Sequence, residues 1–425
     1  MDFLASVPAL VKVGLAFVLI LILNRVKLHL SWCLFAGAAA LGLMMGLPAH
    51  KIFLTLGESI LETQTLTLAL LVALILVMSR LMSDSGHLDR IVSAFTHVTR
   101  SVKVVNVVMP ALIGLLPMPG GALFSAPMVE TASRKANLNP ELKTVINYWF
   151  RHIWEYWWPL YPGVVLAVSL LGIEAWKFML FQFPLTLINL GAGTLFLLGL
   201  VPSGTPSQPD RKGGWADFRR EVRPITLIVL AVPAVSLFKL ITGLPLPPLT
   251  AVFAGLGLCL ALVIRQNHIS AAQFSRAVFN KSLPPMILLV LAIMAFKGVL
   301  MESRAVTHIQ IEMTRYGIPP LLIMLLMPFL SGFITGIAVG FVGASFPLVV
   351  PLLAQKSGLD FMSHASLAYA FGYMGIILSP VHLCLLVTKD YFSASLLKSY
   401  RYLIGPVLTV LLSVLVLFGL AQWLT

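Results

Sequence analysis

Residues 147–163 read NYWFRHIWEYWWPLYPG, and they place Arg151, His152 and Glu155 inside an otherwise apolar segment. A guanidinium can grip a carboxylate through two parallel hydrogen bonds. An imidazole and a carboxyl group can carry protons. A helix beginning near Lys143 would put Arg151 about eight residues in, roughly 12 Å along the axis. That depth is near the middle of a hydrocarbon core about 30 Å thick, where an ionisable side chain is a functional candidate by default. Two structural alternatives stay open. Arg151 and Glu155 stand i,i+4, so they can neutralise each other on one helix face, and His152 and Glu155 stand i,i+3. The interleaved aromatics read as packing and interface anchors.

Two glycine-rich breaks could complete a site with these groups. One tip is Pro117-Met118-Pro119-Gly120-Gly121, followed by Ser125; the other runs from Thr335-Gly336 to Gly340, followed by Ser345. Glycine lets a backbone approach a ligand closely. The helix restarting after such a break offers free N–H groups and a positive dipole end to an anion, and the carbonyls before it suit a cation. A third break, Ser379-Pro380-Val381-His382, faces the Arg-His-Glu segment in the second half. There Gly372, Tyr373 and Ile376 stand where the first half has Arg151, His152 and Glu155. A site between the halves would therefore be asymmetric, with its fixed cation from the first.

Those groups need a scaffold, and its outline is a repeat. Phe35-Ala36-Gly37 recurs as Phe253-Ala254-Gly255, Leu70-Leu71-Val72 as Leu288-Leu289-Val290, and Met109-Pro110 as Met327-Pro328, all at an offset of 218. The offset becomes 220 for Ser125 and Pro127 against Ser345 and Pro347. It becomes 221 for Tyr148, Phe150 and Pro159 against Tyr369, Phe371 and Pro380. The expected fold is an all-α polytopic membrane protein of two inverted repeats, with about ten transmembrane helices. Residues 1–201 form repeat 1, with a re-entrant hairpin at 104–135 and a broken helix at 144–172. Residues 202–223 form a cytoplasmic linker. Residues 224–425 form repeat 2, with a hairpin at 318–356 and a broken helix at 364–388. Five crossings per repeat invert the second copy, which is the signature of secondary transporters.

Charge gives the orientation. With both termini outside, cytoplasmic segments hold 20 of the 29 lysines and arginines and the outer segments 7. This agrees with the positive-inside rule and places the chain in the inner (cytoplasmic) membrane. Overall the 425 residues are 59% hydrophobic and 11% charged, with a net charge of +13. Such a composition excludes a soluble enzyme, a disordered tail and a disulfide-stapled module. The basic excess lies in short loops between apolar runs, so it does not indicate nucleic acid. Cys33, Cys259 and Cys384 are far apart and give neither a metal spacing nor a disulfide framework. The amino end lacks a basic n-region, so the first apolar run reads as a span. Enzyme motifs are absent, and no resident cofactor is expected.

LLPMPGGALFSAPMVE followed by NYWFRHIWEYWWPLYPG resembles the membrane proteins grouped as domain of unknown function 401, across nearly the whole chain. The resemblance implies the ion transporter superfamily, which holds dicarboxylate/sodium symporters and gluconate, citrate and lactate permeases. It also implies an elevator motion and a homodimer. The tips here lack the Ser-Asn-Thr motifs of the dicarboxylate/sodium symporters, so the substrate does not carry over. The functional expectation is a secondary transporter of a small organic anion such as a carboxylate, coupled to H⁺ or Na⁺. Arg151 is the fixed charge, and Pro119, Gly120, Gly121, Ser125, His152, Glu155, Thr335, Gly336, Gly340, Ser345, Ser379, Pro380 and His382 line the site. The alternatives are a cation/proton antiporter using His152 and Glu155, and a lipid-handling membrane enzyme or flippase.

Overall fold

The computed structural model describes residues 7–96, 101–118, 121–133, 138–202, 215–247 and 249–425. Pro119 and Gly120 of the first tip, and 203–214 of the linker, lie outside the described residues. The described residues are all-helical. Ten helices precede the linker: α1 Ala9–Arg25, α2 Leu30–Met44, α3 Ala49–Leu61, α4 Thr63–Asp84, α5 His87–Thr96, α6 Val102–Gly114, α7 Ala122–Ser133, α8 Pro140–Arg151, α9 Pro162–Leu171 and α10 Ala175–Phe196. Ten follow it: α11 Trp215–Thr242, α12 Thr250–Gln266, α13 Ala271–Val278, α14 Leu283–Glu302, α15 Ala305–Tyr316, α16 Pro320–Thr335, α17 Ala338–Leu352, α18 Gly358–Ile377, α19 Leu383–Tyr391 and α20 Leu396–Trp423.

Local sequence explains many of the boundaries. Asn139 caps α8 by accepting from the Leu142 N–H at 2.8 Å, with Pro140 in the first turn. Ser270 and Gln273 form a capping box at the start of α13. Gly172, Gly317 and Gly336 end α9, α15 and α16 with φ of +66°, +63° and +66°, a region open to glycine at little cost.

Five helices are long and apolar enough to cross a membrane, by length and composition: α4, α10 with the short 3₁₀ turn after it, α11, α14 and α20. Shorter apolar helices include α2, α6, α9, α12, α16 and α17. The chain is a multi-pass membrane protein. Trp215–Arg223, read from sequence as linker, is the first part of α11. The helix α8 also ends earlier than expected. The sequence allows Arg151 and Glu155 one helix face, but α8 stops at Arg151, and residues 152–161 run as turns up to α9.

Packing repeats between the halves. The pair α6 and α7 packs together, as does α16 with α17, and α6 lies on α8 as α16 lies on α18. Contacts between the halves come in exchanged pairs: α2 with α14 and α12 with α4, α9 with α17 and α19 with α7, α8 with α20 and α18 with α10. The breaks after α6, α8, α16 and α18 thereby come together.

Candidate functional site

A cavity of about 170 Å³ lies where those breaks meet. Its wall is made by Pro117 and Met118 after α6, Arg151, His152 and Glu155 after α8, and Tyr161 to Gly163 at the start of α9. The second half contributes Gly336 to Val339 at the start of α17 and His382 to Cys384 at the start of α19. Leu76 of α4 and Met286 of α14 complete it.

Arg151 is only 2% exposed. Its Nη2 donates to the Met118 carbonyl at 2.9 Å, and its Nη1 lies 3.4 Å from Cys384 Sγ. Its Nε has no hydrogen-bond partner among the described residues. A carbon placed on Gly121 would strike this guanidinium, so the bare glycine is what lets the first tip close over it. Arg151 and Glu155 do not share one helix face, because α8 ends at Arg151 and Glu155 lies in the turns that follow, although both line the cavity. Glu155 faces His152 instead, with Oε1 3.7 Å from Nε2. Tyr161 donates to the Gly114 carbonyl.

His152 donates from Nδ1 to the Tyr148 carbonyl at 2.6 Å, since a carbonyl can only accept. Its Nε2 meets His382 Nε2 at 3.1 Å, and His382 Nδ1 has no partner among the described residues. The unwound backbone is held from the other half. Tyr373 donates to the His152 carbonyl at 2.5 Å, and Tyr369 to the Glu155 carbonyl at 2.9 Å. Tyr369 satisfies a carbonyl left open after helix α8 ends, while the His152 carbonyl also accepts from the Glu155 N–H at 3.3 Å.

Three helices begin at this cavity: α9 after Tyr161, α17 after Ile337 and α19 after His382, none with a side-chain cap. Their first-turn N–H groups and positive dipole ends face the space that Arg151 also faces. The arrangement favours a small anion.

The structure thus brings together Arg151, His152, Glu155, Gly336 and His382 on one cavity, with Gly121 against Arg151. Others stand back from it. Ser125 donates to the Ala122 carbonyl at 3.3 Å, Ser345 to the Phe341 carbonyl at 2.6 Å and Thr335 to the Ser331 carbonyl at 2.7 Å. Ser379 donates to the Phe333 carbonyl at 2.6 Å and, with His382, limits the space around Gly336. Gly340 packs on Thr335, and Pro380 does not line the cavity. Sequence reasoning passed over Cys384, Tyr161, Tyr369 and Tyr373. The tyrosines were visible as polar tips in an apolar run, but their acceptors lie more than 200 positions away or at a break not read correctly.

Residues 6–420 match a protein family described as Protein of unknown function (DUF401). No curated protein matches the chain.

Proposed function

The chain belongs to the DUF401 family, and from that premise we propose that it is a secondary transporter of a small organic anion, a carboxylate, driven by H⁺ or Na⁺. One observation carries the reading: the buried Arg151 guanidinium, with an unpartnered Nε, shares a cavity with three uncapped helix N-termini. That is a positive site built where the bilayer would make an unused charge costly. At about 30 Å³ per water, 170 Å³ matches about six waters, the scale of a small carboxylate.

Two inverted repeats support alternating access. The ten helices of each half correspond in order at the 218 to 221 offset, and the exchanged packing pairs fit a two-fold relation between halves. The pairs α6–α7 and α16–α17 are the re-entrant hairpins of this reading, entering from opposite sides. Both termini lie outside in the inner membrane, by the bias of 20 basic residues against 7. A second reading, cation/proton antiport, is favoured by one contact, the His152–Glu155–His382 cluster on the same cavity.

The test is a thermal-shift screen of the purified protein against carboxylates, sugar acids and cations, followed by proteoliposome uptake of any hit. A ligand of the native state raises its apparent stability. Stabilisation by a carboxylate, lost in Arg151→Gln, supports the anion reading. Stabilisation by cations alone, with cation-driven proton movement, supports the antiporter.

A further inference from the structure

One imidazole nitrogen of His152, one of His382 and the Cys384 Sγ all lie within 4.8 Å of one another. We propose that these three side chains form a binding site for a zinc ion, with a fourth position open to the cavity.

The donor set is two imidazoles and a thiol, which suits Zn²⁺ better than the oxygen-seeking Mg²⁺, Ca²⁺ or Na⁺. Tetrahedral zinc, with bonds of about 2.0–2.1 Å to nitrogen and 2.3 Å to sulfur, sets its ligand atoms roughly 3.3 to 3.6 Å apart. The two Nε2 atoms already stand 3.1 Å apart. No separation in the trio exceeds 4.8 Å, so the excess over the ideal is at most about 1.5 Å. His152 is oriented as metal-bound histidines are. Its Nδ1–H is fixed on the Tyr148 carbonyl, which leaves the Nε2 lone pair aimed at His382. His382 is 7% exposed and lines the cavity.

Charge decides whether a dication can sit beside Arg151. The guanidinium lies 3.4 Å from Sγ, placed to balance the charge of a metal-bound thiolate. Glu155, 3.7 Å from His152 Nε2, supplies a second negative charge. Arginine, zinc, thiolate and carboxylate then sum to one positive charge, which a monoanion in the fourth position would neutralise. That last step rests on the transport reading; zinc binding itself does not.

The experiment uses the full chain, purified in detergent with its tag removed. Zinc per chain is measured by elemental analysis, affinity by competition with a chelator, and ligation by the absorption spectrum after Co²⁺ exchange. About one zinc per chain is expected, with a thiolate-to-cobalt charge-transfer band. Cys384→Ser should remove the band, and His382→Gln should weaken zinc binding at least tenfold while the protein still elutes as a single species. Wild-type protein with far less than one zinc and no cobalt band overturns the proposal, even if either variant fails to fold. Unchanged binding in folded variants also overturns it, placing the metal elsewhere. Anion uptake without zinc would leave the transporter reading standing and remove only the metal.

Discussion

Tyr148 and Tyr369 stand 221 residues apart and make the same hydrogen bond in opposite directions. Tyr148 donates to the Ile376 carbonyl at 3.3 Å, shared with the Ile377 carbonyl at 3.2 Å, and Tyr369 donates to the Glu155 carbonyl at 2.9 Å. Glu155 and Ile376 are themselves 221 apart. Each half therefore clamps the break of the other through one equivalent tyrosine.

The two bonds differ in worth. The Ile376 carbonyl also accepts from the Ser379 N–H at 2.9 Å, while the Glu155 carbonyl follows the end of α8 and relies on Tyr369. Removing the hydroxyl in Tyr369→Phe should cost about 1–3 kcal/mol, the penalty for an unsatisfied buried acceptor. Tyr148→Phe should cost about 0.5–1.5 kcal/mol, a net hydrogen bond. Thermal unfolding in detergent checks the order. Equal losses would mean that the Glu155 carbonyl has another donor.

A second relationship repeats across the halves at Gly114 and Gly332. A carbon on Gly114 would strike the Arg151 carbonyl, and one on Gly332 the Gly372 carbonyl. Alanine in a helix is ordinarily better than glycine by about 0.8–1.0 kcal/mol. Here backbone would have to move, and overpacking of about 1–3 kcal/mol wins. Gly332→Ala should destabilise, while Gly14→Ala, where nothing lies within 4 Å, should be neutral or stabilising. A gain in unfolding temperature for Gly332→Ala would contradict the close approach of α16 and α18.

These pairs mark what could be read from the sequence. The offset linking the halves was legible because equivalent positions keep packing residues such as Gly114 and Gly332. The Arg-His-Glu group was legible because charge is costly in an apolar segment. The end of α8 was not. The residues after Arg151 are helix-compatible, and the turns there are held by Tyr369 and Tyr373, donors from a distant part of the chain. Cys384 looked inert for the same reason, since its neighbours Arg151 and His152 are supplied by the other half. The short helices α3, α5, α13 and α15 leave no long apolar run in the sequence because each mixes polar with apolar residues.

Away from the cavity, His87 ties α5 to α11 and α12. Its Nε2 donates to the Glu221 carbonyl at 2.8 Å, and its Nδ1 accepts from Arg90 at 3.2 Å and Asn267 at 3.4 Å. Burial holds its pKa below the ordinary histidine value, outweighing the pull of Glu221. A lowered folded pKa means that the unfolded chain takes up the proton first. The stability is therefore complete above about pH 6.5 and is lost as the pH falls through the lower folded value. The unfolding temperature should fall on acidification less steeply in His87→Gln than in wild type. Parallel pH profiles would show that His87 is not a source of acid sensitivity.

The sharpest prediction concerns Arg151 and the glycine that covers it. Lysine keeps the charge but cannot place two parallel N–H groups on a carboxylate. Arg151→Lys should weaken anion binding about tenfold or more, roughly 1.4 kcal/mol. Arg151→Gln should abolish binding. Gly121→Val should do so too, by forcing the guanidinium from its place, while leaving the protein folded in the membrane. If Glu155 carries the coupling proton, Glu155→Gln should keep binding measurable but remove its dependence on pH. Ligand affinity and proteoliposome uptake measured on the same preparations separate these cases. Wild-type uptake by Arg151→Gln would dismiss the anion clamp. Arg151 would then serve the fold, tying Met118 and Cys384 together across the two halves.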